Sequence, residues 1–271
     1  MVKKNGRVIE LPVSGSLHPT GASILGENYA SLYREIESNY ELSELSRFFP
    51  MEGSSFRDDS DAVGLMVVGR CVNGWTPITE TNDEEFTKSA VREIFDIGFQ
   101  WLRDDGKAVD TYIRDDGKEC RYNINRSAFW RSIKKSLNLL APYTCDELRW
   151  FENIVWSNLY PIAPKDRYNA DYNMRCVQLK WSRDILLKQI EFYKPKHILF
   201  ITDWEDWFSA FADLFPAVEK VGDSTKDIII GKGLHGERKV VVTIRPDRTT
   251  PFKPSEDVYA QEVYTAFQEI R

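Results

Sequence analysis

Four short apolar runs organise the chain. AVGLMVVG spans residues 62–69, NIVWSN spans 153–158, KHILFIT spans 196–202 and KVVVTI spans 239–244. Runs of this length, with β-branched residues, suit strands buried on both faces. Long stretches with helical spacing separate them. Leu32, Ile36 and Tyr40 recur every four residues within 27–40, which predicts a helix there. In 176–193, Leu179, Leu186, Ile190 and Tyr193 share one face, Asp184 precedes Lys188 by four, and Lys194-Pro195 stops the helix. Ser255, after Pro254, is a good N-cap for a last helix with Tyr259, Val263, Phe267 and Ile270 on its buried stripe.

Buried strands joined by helical connections predict an α/β fold: a three-layer αβα sandwich with a central, mainly parallel four-stranded sheet. Two segments read as inserted hairpins. Residues 110–123 carry Asp116-Gly117 between strand-like stretches, and residues 227–244 feed the last core strand. Residues 52–61 read as a loop. The expected organisation is an N-terminal extension, 1–60, packed on a single α/β domain, 61–271.

Composition narrows the picture without deciding it. The formal charge is −6 and 29% of residues are charged, which argues against a protein that coats polyanions along its length. No apolar run approaches the ~18 residues of a membrane span, and the N-terminus has no secretory h-region. Cys71, Cys120, Cys145 and Cys176 include no C-x-x-C pair. They are expected to be reduced thiols of a cytoplasmic protein. His18, His197 and His235 show no zinc spacing, so neither a metal nor another cofactor is expected. Eight Trp, 12 Tyr and 15 Phe make the chain 13% aromatic. Such side chains build cores or stack on flat ligands.

In a parallel sheet, ligands bind beyond the carboxyl ends of the strands. Those ends here carry Gly69-Arg70-Cys71-Val72-Asn73-Gly74-Trp75, Ser157-Asn158-Leu159-Tyr160-Pro161, Thr202-Asp203-Trp204 and Arg245-Pro246-Asp247-Arg248. Asn73 and Asn158 offer amide donors and acceptors for a base edge. Trp75, Tyr160 and Trp204 offer flat faces. Arg70, Arg245 and Arg248 offer forks for phosphate or carboxylate. Each also has a plainer role. Asn73-Gly74 is a common turn pair, Asn158 can satisfy loop backbone, Trp204 and Trp207 can be packing, and Arg245 can pair with Asp247 at the surface. Asp104-Asp105-Gly106 and Asp115-Asp116-Gly117 lack the other ligands of a calcium loop. Gly231-Lys232-Gly233 lacks the rest of a P-loop.

The order of these segments resembles the uracil-DNA glycosylase-like superfamily. VVGRCVNGW is similar to its Gly-led water-activating loop, IVWSNLYPI to its strand ending in a base-reading Asn, and VVTIRPDR to its late His-Pro loop. The resemblance covers roughly residues 60–271. It implies excision of a uracil-like base by water-assisted N-glycosidic cleavage. Asn73 would orient water and Arg245 would stabilise the departing base. Gly69, Arg70, Gly74, Trp75, Asn158 and Tyr160 would hold the base, and Pro246 and Arg248 a phosphate. The implied partner is DNA or another nucleobase-containing ligand. Two departures stand out: Cys71 occupies the place of the family's Asp, and Arg245-Pro246 replaces His-Pro. A catalytically silent binding module and a hydrolase of free nucleosides are the alternatives.

Overall fold

A computed structural model describes residues 19–53, 56, 64–71, 76–94, 109–113, 119–123, 127–141, 150–166, 169–246 and 254–271. It is an α/β structure in which helices pack against both faces of a mixed sheet. The strands in chain order are β1 (Leu45–Arg47), β2 (Met51–Glu52), β3 (Leu65–Cys71), β4 (Thr76–Pro77), β5 (Val109–Ile113), β6 (Glu119–Asn123), β7 (Ile154–Tyr160), β8 (Ile162–Pro164), β9 (His197–Ile201), β10 (Ala217–Lys220), β11 (Ile229–His235) and β12 (Arg238–Thr243). The helices are α1 (Pro19–Glu37), α2 (Asp83–Arg92), α3 (Ala128–Leu140), α4 (Tyr172–Tyr193) and α5 (Glu256–Glu269).

The main sheet differs from the expected four-stranded one. It has seven strands, in the order β10-β11-β12-β9-β3-β7-β2, and mixes orientations. The ladders β12–β9, β9–β3 and β3–β7 are parallel, whereas β10, β11 and β2 join antiparallel. Of the extra strands, β11 belongs to the second predicted hairpin, whereas β10 and β2 are short and carry no continuous apolar run. β2 belongs to the stretch read as an N-terminal extension, so residues before 60 enter the main sheet itself. β4, β1 and β8 form a smaller antiparallel sheet, whose Leu45, Ile162 and Ala163 join the same core as Met66 and Val68.

Alternation along the apolar runs explains the two-sided burial. Met66, Val68, Phe200 and Val242 face a core shared with α1, α2 and α4. Leu65, Val67, Leu199 and Val241 face the core of α3 and α5. Both sets are fully buried, as period-2 geometry requires of a strand covered on each side.

The helix boundaries follow local chemistry. Ser255 Oγ accepts from the Val258 N–H, and Asp171 Oδ1 caps α4 by accepting from Met174 N–H at 2.8 Å. Lys194 takes a left-handed conformation, φ 48°, and its N–H closes on Ile190 O before Pro195. Residues 109–113 and 119–123 pair antiparallel, as the first hairpin predicts, while Asp116-Gly117 lie outside the described residues. The second hairpin is β11–β12. No helix among the described residues is long and apolar enough to cross a membrane.

Candidate functional site at the strand ends

Parallel pairing brings the carboxyl ends of β3, β7, β9 and β12 to one rim. Gly69 is opposite Asn158, and Cys71 opposite Tyr160. The Asn158 side chain lies across Gly69: a Cβ there would sit 2.4 Å from Asn158 Oδ1. Glycine is therefore required by close approach rather than by backbone conformation. Asn158 is 8% exposed, and its amide nitrogen is buried with no hydrogen-bond partner among the described residues. Leaving such a donor unpaired costs about 1–3 kcal/mol.

Asp203 binds three strand ends together. Its N–H donates to Thr243 O at 3.0 Å, its Oδ1 accepts from Arg245 N–H at 3.3 Å, and its Oδ2 pairs with Arg70. It holds a left-handed conformation, φ 65°, which Asp tolerates better than most residues. Arg70 Nε also donates to Thr202 O at 3.0 Å. The Arg70 guanidinium is thus fixed inside the rim and packs 5.5 Å from the Trp207 ring centroid.

Beside this pair sits Cys71. Its thiol donates to Asn169 Oδ1 at 3.3 Å and accepts from Ala170 N–H at 3.4 Å. Burial pushes the thiol up to about 11, against a downward pull from the nearby Ala170 N–H and from Arg245, Arg175 and Arg70. It is a neutral thiol at pH 7. No protein family and no curated protein matches this chain in sequence. What the site can do rests on its own geometry.

The aromatic residues divide sharply. Tyr160 is 2% exposed, with Trp207 and Phe211 packed edge-on against it at 6.0 and 5.4 Å, and burial pushes its hydroxyl up to about 12. Its ring is a core side chain, not an open face. Trp204 packs on Phe208 and into the space left by the absent side chain of Gly231. Asn73, Gly74, Trp75, Asp247 and Arg248 lie outside the described residues. Gly69, Arg70, Asn158, Arg245 and Pro246 are brought to the rim, Arg245 and Pro246 half-buried just after β12.

Two contributors escape a reading confined to strand ends. Arg175, in the first turns of α4, places its guanidinium 4.5 Å from the Trp207 centroid and donates to Asp206 O. Asn169 holds the Cys71 thiol from the loop before that helix. Neither lies at a strand end of the main sheet, and no local pattern marks them. Among the described residues, no cluster of His, Cys, Asp and Glu could hold a metal ion.

Proposed function

We propose that this chain recognises a uracil-like base at the carboxyl ends of its parallel strands and excises it from DNA in the manner of the uracil-DNA glycosylase-like enzymes. The finer architecture this implies is the three-layer sandwich built around the parallel strands. The observation that carries the reading is Asn158, whose buried, unpartnered amide nitrogen lies beside the side-chain-free Gly69. A base carbonyl accepting from that nitrogen, with the base N–H donating to Asn158 Oδ1, relieves the unpaired donor. In this reading Asn73 orients a water that attacks the sugar carbon. The water oxygen bonds to the sugar carbon as the N-glycosidic bond breaks, Arg245 stabilises the base anion that leaves, and the base then takes the proton the water gives up. Pro246 and Arg248 face the DNA backbone.

A second reading, base binding without cleavage, draws on Cys71. Where the family carries a carboxylate this chain carries a neutral thiol, and the nearby carboxylate of Asp203 is paired with Arg70. One experiment separates them. Single- and double-stranded oligonucleotides containing uracil, hypoxanthine or a mismatch are incubated with excess protein, and both binding and abasic product are measured. Abasic product supports excision. Base-selective binding without product supports the silent module. Neither binding preference nor product overturns both.

A further inference from the structure

Among the described residues at this rim, three arginines, Arg70, Arg175 and Arg245, stand near the Cys71 thiol. Arg70 is matched by Asp203. Arg175 has its Nε buried with no partner among the described residues, and its guanidinium donates to a neutral carbonyl, Asp206 O. Arg245 is anchored through its backbone N–H on Asp203. Cys71 supplies no negative charge: its thiol is buried and donates to Asn169 Oδ1. Asp171, one turn before Arg175, is occupied in capping α4, and among the described residues no carboxylate forms an ion pair with Arg175. A half-buried guanidinium without a counterion is poorly compensated, and its fork suits phosphate oxygens.

Trp207 gives Arg175 a fixed place. The buried indole lies within 5.5 Å of Arg70 and 4.5 Å of Arg175, so the side chain is ordered before any ligand arrives. We propose that Arg175, steadied on Trp207, forms a subsite that holds a phosphate group of the ligand. This rests on the base-binding reading for its context, but its chemistry is separate from Asn158. The phosphate comes either from a nucleic-acid backbone or from a free nucleotide.

The test uses the full chain. Thermal melting is compared in sodium phosphate and sodium chloride at equal ionic strength and pH. Wild type is expected to melt several degrees higher in phosphate, Arg175→Gln to lose that difference, and Arg175→Lys to keep part of it. Arg183→Gln, on the same helix but already paired with Asp213, is expected to keep it all. Equal melting of wild type in both salts, or an unchanged phosphate effect in Arg175→Gln, overturns the proposal. If Arg175→Gln does not fold, wild type and Arg175→Lys decide it. Deoxyuridine monophosphate against deoxyuridine tests the free-nucleotide source. For a single-stranded oligonucleotide, Arg175→Gln is expected to reduce the slope of log affinity against log salt by about 0.7. A phosphate effect without any uracil preference leaves this subsite standing and removes the base reading. Uracil preference without a phosphate effect does the reverse.

Discussion

Asn158 and Gly69 act as one unit. Adding a methyl group at Gly69 places it 2.4 Å from Asn158 Oδ1, so the amide must turn away. Gly69→Ala is expected to weaken binding of uracil-containing DNA about tenfold or more, matching Asn158→Ala, because either change removes at least one hydrogen bond to the base. Equilibrium titration of both variants checks this. Cys71 makes a different prediction. Its thiol is buried and pushed up to about 11, whereas Cys176 is exposed. At pH 7, alkylation followed by mass mapping is expected to label Cys176 while Cys71 stays unlabelled until the protein unfolds. At this scale the sequence was legible where a residue's role follows from its place on a strand. Gly69, Asn158 and Arg245 reach the rim because each ends a buried run. Tyr160 also ends one, yet Trp207 and Phe211 enclose its ring, and those neighbours are set by tertiary packing. Arg175 reaches the rim from a helix, where strand-end reasoning does not look.

The four parallel strands are legible as elements because both faces are buried and each carries a run of consecutive apolar residues, at 65–68, 154–156, 198–201 and 240–242. β10 is not: only Val218 of its four residues is buried, so it carries neither a run nor an alternation. The α4 stripe was legible only in part. Leu186, Ile190 and Tyr193 are buried as expected, but Gln178, Ser182 and Gln189 share their face. Gln178 accepts from Ile162 N–H at 3.2 Å and donates to Ile162 O at 3.0 Å. Gln189 joins Ser157 of β7 to Tyr29 of α1. Hydrophobic spacing does not reveal such polar docking. Gln178→Ala strands both backbone groups of Ile162 and is expected to lower stability by about 1–3 kcal/mol, read as a lower denaturant midpoint at unchanged slope. A buried ion pair ties β1 to the segment before α2. Arg47 and Glu80 side chains are 5% and 6% exposed, and Arg47 also bonds Glu93 at 2.7 Å. Arg47→Ala leaves Glu80 without its cation and is expected to cost about 3–5 kcal/mol. Burial raises the Glu80 carboxyl, but the Arg47 hydrogen bond and charge outweigh it and hold it below its ordinary value. The pair therefore contributes fully above the ordinary carboxylate range and fades as pH falls through the lowered value. The stability gap between wild type and Glu80→Gln is expected to narrow below about pH 4, the ordinary glutamate value.

The whole molecule carries a formal charge of −6, while Arg70, Arg175 and Arg245 stand near Cys71 at one rim. An acidic chain with a small cationic site makes few phosphate contacts. With two such contacts, at Arg175 and Arg248, duplex affinity is expected to fall about tenfold between 50 and 200 mM salt, far less than the ~10³–10⁵ of a protein with six to ten. A filter or fluorescence titration across that range measures it. The aromatic excess also resolves at this scale. Phe200, Tyr193, Phe267 and Tyr160 fill the two cores on either side of the sheet, so aromatic content followed from folding rather than from a stacked ligand. The central claim is that Asn158 reads a base. It is tested most directly by the affinity of wild type and Asn158→Ala for one oligonucleotide carrying uracil or an abasic sugar analogue at the same position. The account predicts that wild type prefers the uracil strand about tenfold or more and that Asn158→Ala loses this preference. Equal affinity of wild type for both strands, or an undiminished preference in Asn158→Ala, contradicts it.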